Sequence, residues 1–200
     1  MSQVKDEGVD AGKRRFLTLA TSVVGGAGAA AAAVPFLASF KPSARAKALG
    51  APVKADVSKI EEGARITYTW RGSPVWVVKR NERMLGTLPK LTGELRDPQS
   101  EQPQQPEYVD AETRSIKPEL LVMIGRCTHL GCSPLYRPDA DAADVPGEWM
   151  GGFFCPCHGS KFDLAGRVYK GVPAPLNMEV PPHRYESDAV IIIGEDTEAA

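Results

Sequence analysis

The sequence predicts a mainly β fold: antiparallel sheets carrying a small subdomain built from two loops, preceded by one N-terminal transmembrane helix. Three observations predict it. A 25-residue run near the N-terminus carries no charge. Six short Val-, Ile-, Tyr- and Trp-rich runs follow, separated by Gly and Pro turns. All four cysteines and two of the three histidines fall between Cys127 and His158, in two short segments that each follow an apolar run.

Two hundred residues suit one ordinary domain plus an appendage. With 19 glycines and 17 prolines the chain is rich in turns, which favours strands over helices. The net charge of -1 gives no electrostatic case for nucleic acid, so none is expected as a partner.

The first element is an anchor. Residues 1–15 are polar, end in Lys13-Arg14-Arg15, and read as a cytoplasmic N-terminus. Residues 16–40 hold no charged side chain and would span roughly 37 Å as a helix, enough to cross a hydrocarbon core of about 30 Å. That length exceeds a signal-peptide core, so the expectation is a retained helix, although the small-x-small runs at 44–46 and 46–48 resemble cleavage sites. The Lys-Arg-Arg-Phe-Leu run resembles a twin-arginine export signal, a route for proteins that load a cofactor before crossing. Gly25, Gly26, Gly28 and the alanines at 29–33 let backbones approach closely, which predicts docking on partner helices. Residues 41–52, small, polar and bounded by prolines, are expected to be a hinge or tether.

The second unit, residues 53–196, is expected to be the exported domain. Its predicted strands lie at 65–70, 74–80, 120–125, 149–154, 167–169 and 189–194. A short helix is plausible within 81–95, limited by Gly86 and Pro89. The Gln-, Pro- and Glu-rich stretch 97–118 reads as an exposed loop, and His183, after Pro181-Pro182, as an exposed or capping histidine without a site.

The loops Cys127-Thr128-His129-Leu130-Gly131-Cys132 and Cys155-Pro156-Cys157-His158-Gly159-Ser160 each offer one Cys-His pair. Two thiolates and two imidazoles could bind one tetrahedral zinc or one 2Fe–2S cluster. Zinc fingers group paired cysteines and then paired histidines, unlike this order. One cysteine per loop remains over, and Cys132 and Cys157 could form a disulfide, which would persist only in an oxidising compartment. That agrees with a domain exported behind an anchor.

Both loops resemble, residue for residue, those of the Rieske proteins of quinol–cytochrome c oxidoreductases. The resemblance extends to the basic N-terminus with one helix, to Leu95-Arg96-Asp97-Pro98, to Lys117-Pro118-Glu119, and to the segment from Gly171 to Asn177. It implies a single Rieske-type 2Fe–2S cluster within the subdomain spanning about 120–180. Cys127 and Cys155 would hold the inner iron, His129 and His158 the outer one, and Cys132–Cys157 would be a disulfide. His158 would meet the quinol hydroxyl, His129 would share the exposed iron, and Leu130 would pack into the partner's quinol pocket.

The implied function is electron transfer, coupled to a proton, from quinol bound at cytochrome b to a c-type cytochrome. The setting would be a dimeric respiratory complex of a bacterial inner membrane, with the chain single-pass and its C-terminal domain periplasmic. As a subunit of a quinol–cytochrome c oxidoreductase and translocase, the chain would not turn over alone. Ser160 matches a serine that donates to a bridging sulfide and leans the reading towards ubiquinol. Phe162 stands where the family usually has tyrosine, so one donor is missing; at about 0.5–1.5 kcal/mol this predicts a potential roughly 20–65 mV lower.

Three other readings compete. The small subunit of a periplasmic oxidase can share the leader and the disulfide-linked loops, but the anchor-plus-tether layout and the 173–177 segment favour the quinol complex. Soluble Rieske ferredoxins and oxygenase components typically lack the second cysteine of each loop. A structural zinc module has no use for Cys132 and Cys157.

Overall fold

The computed structural model describes residue 8 and residues 10–140 and 142–196, and the chain divides into two units, one up to Lys47 and the other from Ala48. Most of the predicted cytoplasmic stretch 1–15 lies outside the described residues.

In the first unit α1 runs Ala11–Ser39, 29 residues with none buried. Asp10 starts it, its carboxylate accepting from the Gly12 and Lys13 amides at 2.9 and 3.2 Å. Pro35 lies inside the helix and does not end it. At 1.5 Å per residue α1 is about 43 Å long, long and apolar enough to cross a membrane. The expected irregular tether is in part helical: α2 occupies Ala44–Gly50, because Ala, Arg, Lys and Leu are strong helix formers and the Ser43 hydroxyl caps the Ala46 amide.

The second unit holds three antiparallel three-stranded sheets. β1 (Val53–Asp56) pairs with β9 (Val190–Ile193), which pairs with β8 (His183–Ser187). β2 (Arg65–Trp70), β3 (Ser73–Lys79) and β4 (Leu120–Ile124) form the second sheet in sequence order. β5 (Leu135–Arg137), β6 (Gly152–Cys155) and β7 (Ser160–Phe162) form the third, which carries one of the two loops. The predicted helix within 81–95 is a single turn, α3 (Glu82–Leu85), followed by a 3₁₀ turn at Pro89–Glu94.

Alternation decides which face of the central sheet goes where. Val75, Val77 and Val122 point into a core shared with Ile191 and Ile193, whereas Trp76, Val78, Leu121 and Met123 point into the core that holds Cys127 and Cys155. Both faces are covered, which is why β4 reads as an unbroken apolar run and is buried throughout.

Several expectations are corrected. The run 149–154 becomes a strand only from Gly152, since Gly151 and Gly152 take φ of +96° and +150° and Trp149 packs in a separate cluster with Tyr169 and Phe154. Residues 168 and 169 make isolated bridges and no strand. The stretch 97–118 is irregular but not merely exposed: Val109, Arg114 and Ser115 are buried. His183 is fully buried, its Nδ1 at 2.9 Å from the Pro181 carbonyl oxygen, while its backbone N–H donates to the Tyr108 hydroxyl.

Candidate metal centre

Each loop is built on the same turn. The Gly131 N–H donates to the Cys127 carbonyl, and the Gly159 N–H donates to the Cys155 carbonyl, both at 2.9 Å. In both, glycine occupies the fourth position after the cysteine with positive φ, +82° and +74°. A Cβ there would meet no neighbour, so the demand is conformational and not one of space. Cys127 also donates its N–H to the Cys132 carbonyl at 2.8 Å, closing the first loop at its base.

β4 delivers the first loop and β6 the second. Gly125, just after β4, is a close-approach position: a side chain there would be driven into the Trp76 indole. Trp76 in turn stacks on Phe153 with centroids 5.5 Å apart, two residues before Cys155. The two loop bases are thus packed on each other through one aromatic contact.

The structure brings all the predicted site residues together. Cys127 and Cys155 are unpaired and buried, within one cluster of side chains. The Cys155 thiol is pushed up by burial and further by its contact with Cys127. The His129 and His158 rings meet edge to edge-face, with centroids 4.7 Å apart and planes at 89°. His158 is exposed and His129 half-buried, and the His129 Nδ1 is buried with no hydrogen-bond partner. Leu130 stands at the tip of the first loop, 72% exposed.

Cys132 and Cys157 form a disulfide across the loops, with Cα atoms 6.8 Å apart. The sulfurs of Cys132, Cys155 and Cys157 all lie within 4.8 Å of one another. That trio is not a ligand set, because two of its sulfurs are bonded to each other. It places the disulfide against the Cys155 sulfur, as a cover.

The donor chemistry fits a 2Fe–2S group. Two buried cysteines outside any disulfide and two neighbouring imidazoles offer its donor set, and the buried His129 Nδ1, which lacks a hydrogen-bond partner, is an unsatisfied group that an ion would satisfy.

The surroundings fix these donors. Ser160 pairs with Cys155 across β6–β7 and is fully buried. Its Oγ accepts the Ala174 N–H at 3.1 Å, which leaves its own proton free to donate. Thr128 donates its hydroxyl to the Leu176 carbonyl at 2.6 Å. The proline-rich segment 173–176 is thus stapled to both loops, once through Ser160 and once through Thr128. Asn177 extends it, accepting the Val168 N–H and donating to the Asp97 carbonyl, both at 2.9 Å. Sequence reasoning missed Thr128 and Asn177 as positioning residues; a hydroxyl directly after Cys127 was the available signal. Phe162 is fully buried beside Cys127 and Cys155 and brings no donor.

A membrane-spanning candidate helix ahead of a β domain, with two Cys/His loops braced over buried sulfurs, defines an anchored metal-cluster protein. Comparison with known proteins narrows this. Residues 52–182 match the Rieske [2Fe-2S] domain, and residues 4–43 match the "Ubiquitinol-cytochrome C reductase Fe-S subunit TAT signal". The "Ubiquinol-cytochrome c reductase iron-sulfur subunit" of Allochromatium vinosum is 58% identical over 194 residues, covering 97% of this chain and 94% of the relative. That of Rhodospirillum rubrum is 43% identical over 188 residues, 94% of each chain. The mitochondrial "Cytochrome b-c1 complex subunit Rieske" of Bos taurus is 40% identical over 181 residues, 90% of this chain and 58% of the relative.

The chain belongs to the Rieske [2Fe–2S] family, as an iron–sulfur electron-transfer subunit of a cytochrome bc complex. It carries a 2Fe–2S cluster, is a subunit of an oxidoreductase with cytochrome partners, and has the signal and helix of a membrane-anchored subunit of a bacterial respiratory complex.

Proposed function

We propose that this chain takes one electron, coupled to one proton, from a quinol held by cytochrome b and passes the electron to a c-type cytochrome. Cys127 and Cys155 would hold one iron of the cluster, and His129 and His158 the other. The observation that carries this reading is the imidazole pair 4.7 Å apart, one ring nitrogen orphaned, above two buried unpaired sulfurs.

When bound, the cluster supplies a one-electron acceptor whose mixed ligands place it at about -150 to +300 mV, against about -400 mV for all-cysteine plant-type clusters. The protein's residues supply the rest. The two neutral imidazoles keep the assembly free of the two further negative charges that thiolates would bring. His158, exposed at the tip, presents its outer ring nitrogen to the quinol hydroxyl and holds the transferred proton. Leu130 fills the apolar mouth of the partner's quinol pocket and excludes water. Ser160, whose Oγ accepts the Ala174 N–H, keeps a hydroxyl proton that would be available to donate to a cluster sulfur. The disulfide Cys132–Cys157 shields the cluster from solvent on the side of Cys155.

The arrangement in the membrane follows the layout of the chain. Residues 1–15 lie in the cytoplasm, 16–40 cross the inner membrane once, 41–52 tether, and 53–196 form the periplasmic domain. The chain works as one subunit of a dimeric, proton-translocating complex and does not turn over alone, because half of the quinol pocket belongs to cytochrome b. Ubiquinol, named for the Allochromatium and Rhodospirillum relatives, is the substrate that the serine at 160 favours.

The test is an EPR spectrum of the dithionite-reduced protein with a redox titration of its signal. A rhombic signal with the low average g of histidine-ligated 2Fe–2S centres and a positive midpoint is expected. A clearly negative midpoint points instead to a ferredoxin or oxygenase component. Zinc without an EPR signal sinks the iron–sulfur ligand set.

A further inference from the structure

Below the two loops lies a group of charges that the ligand chemistry does not use. Arg80, Arg114, Asp163 and Arg167 are all buried, three of them completely. Only one ion pair joins them: the Asp163 carboxylate accepts from Arg167 Nε at 2.7 Å, with both side chains fully buried. The other two guanidiniums rest on neutral acceptors. Arg80 donates to the carbonyls of Thr113, Pro118 and Leu164 and to the Ser115 hydroxyl. Arg114 donates to the carbonyls of Gln104, Ala165 and Gly166 and to the Gln105 side-chain oxygen at 2.9 Å. Three cations against one anion leave an excess of two positive charges inside the domain.

That excess lies close to the loops. Leu164 and Ala165, whose carbonyls receive Arg80 and Arg114, share one buried cluster with Cys127 and Cys155. Cys155 pairs with Ser160 across the sheet, and Asp163 follows three residues further along, roughly 10 Å at strand spacing. The remaining acids that face the group are Asp97, Asp110 and Glu119. These three are exposed or half-exposed, where water and salt screen them. Burial lowers the Arg80 and Arg114 guanidiniums to about 10, so both stay charged at neutral pH.

A buried cation that rests on carbonyls costs more than an apolar residue of the same size, unless its charge serves something. An electron arriving between the loops adds one negative charge, and fixed positive charge beneath it favours that state. We infer that Arg80, Arg114 and Arg167, opposed by Asp163 alone, form a built-in positive field that raises the midpoint potential of the cluster. The inference rests on the ligand reading above and goes beyond it. None of the hydrogen bonds of these four residues reaches Cys127, His129, Cys155 or His158, so they act by charge at a distance.

At an effective dielectric constant of 20 and roughly 10–15 Å, one unit charge changes the reduction equilibrium about six- to sixteenfold. A one-electron couple reads this as about 50–70 mV. The decisive variant is Gln105→Glu in the full-length holoprotein. Gln105 is half-buried and already touches Arg114, so a carboxylate there cancels one buried charge without removing a packed side chain. The expected midpoint at low salt is lower by that amount, with the parent's EPR line shape. A midpoint that is unchanged or raised overturns the inference. Arg114→Gln, in any holoprotein that forms, must also lower the midpoint. A fall in melting temperature with the midpoint held is the result of a purely structural role and overturns it too. Failure of the ligand reading looks different: the parent itself then lacks the histidine-type EPR signal.

Discussion

Replacing Phe162 by tyrosine adds one oxygen to a ring with no solvent exposure. The ring sits on β7 opposite Phe153, in the cluster that contains Cys127 and Cys155. The new hydroxyl has no water to turn to, so it must find an acceptor inside. Left unpaired it costs about 1–3 kcal/mol of stability. Bonded to a cysteine sulfur, it contributes a net bond of about 0.5–1.5 kcal/mol that strengthens as the sulfur gains electron density. For a one-electron couple this raises the midpoint by roughly 20–65 mV. Two measurements on one variant separate the cases: an EPR-monitored redox titration and a denaturant melt. A raised midpoint with stability nearly kept supports the sulfur bond. An unchanged or lowered midpoint refutes the view that Phe162 marks a missing donor.

Other residues carry predictions of their own. Ser160→Ala removes the donor and orphans the buried Ala174 N–H; the midpoint falls by roughly 20–65 mV in a redox titration and the melt loses about 1–3 kcal/mol. Replacing Cys132 and Cys157 together by serine opens a cross-link between residues 25 apart. Loop-closure entropy sets that loss at about 3.5 kcal/mol, and faster cluster bleaching in a stopped-flow chelator assay accompanies it. His183 is held below its ordinary value of 6.5, first by burial. A depressed histidine stabilises the fold above its unfolded value, and that contribution is lost as pH falls below about 6.5. Denaturant melts between about pH 7 and 5 show this loss in the parent and a flatter profile in His183→Phe; equal slopes would refute it.

What could be read from the sequence divides along physical lines. β3, β4 and β9 are written in their own residues as apolar runs because they are largely buried, and β2 is legible from its alternation of Ile66, Tyr68 and Trp70 with exposed Thr67 and Thr69. β1, β5, β7 and β8 are three to five residues long and mixed in composition; Leu135–Arg137 is a strand because Phe154 and Phe153 lie across from it, a fact held elsewhere in the chain. The loops were legible because ligand chemistry leaves few residue types to choose from. Their staples were not: Thr128 meets a carbonyl 48 residues away and Asn177 one 80 residues away. Arg80 and Arg114 were invisible for the opposite reason, since arginine is ordinarily a surface residue and only the closed fold reveals three of them inside. His183 was misjudged on the same ground, as its burial depends on Tyr108 and a sheet formed at the chain's end.

The pairing of β1 with β9 has a bearing on the order in which the protein is made. Val53 is registered with Ile193, and β1 has no other strand partner in its sheet. The ribosome produces the matching N-terminal signal first, then β1, and only some 134 residues after Asp56 the strand that β1 needs. At about 5–20 residues per second that gap lasts roughly 7–27 s. Throughout it the address is already on display while the cargo cannot close. Sorting of this chain therefore has to tolerate a delay before its first and last strands can pair.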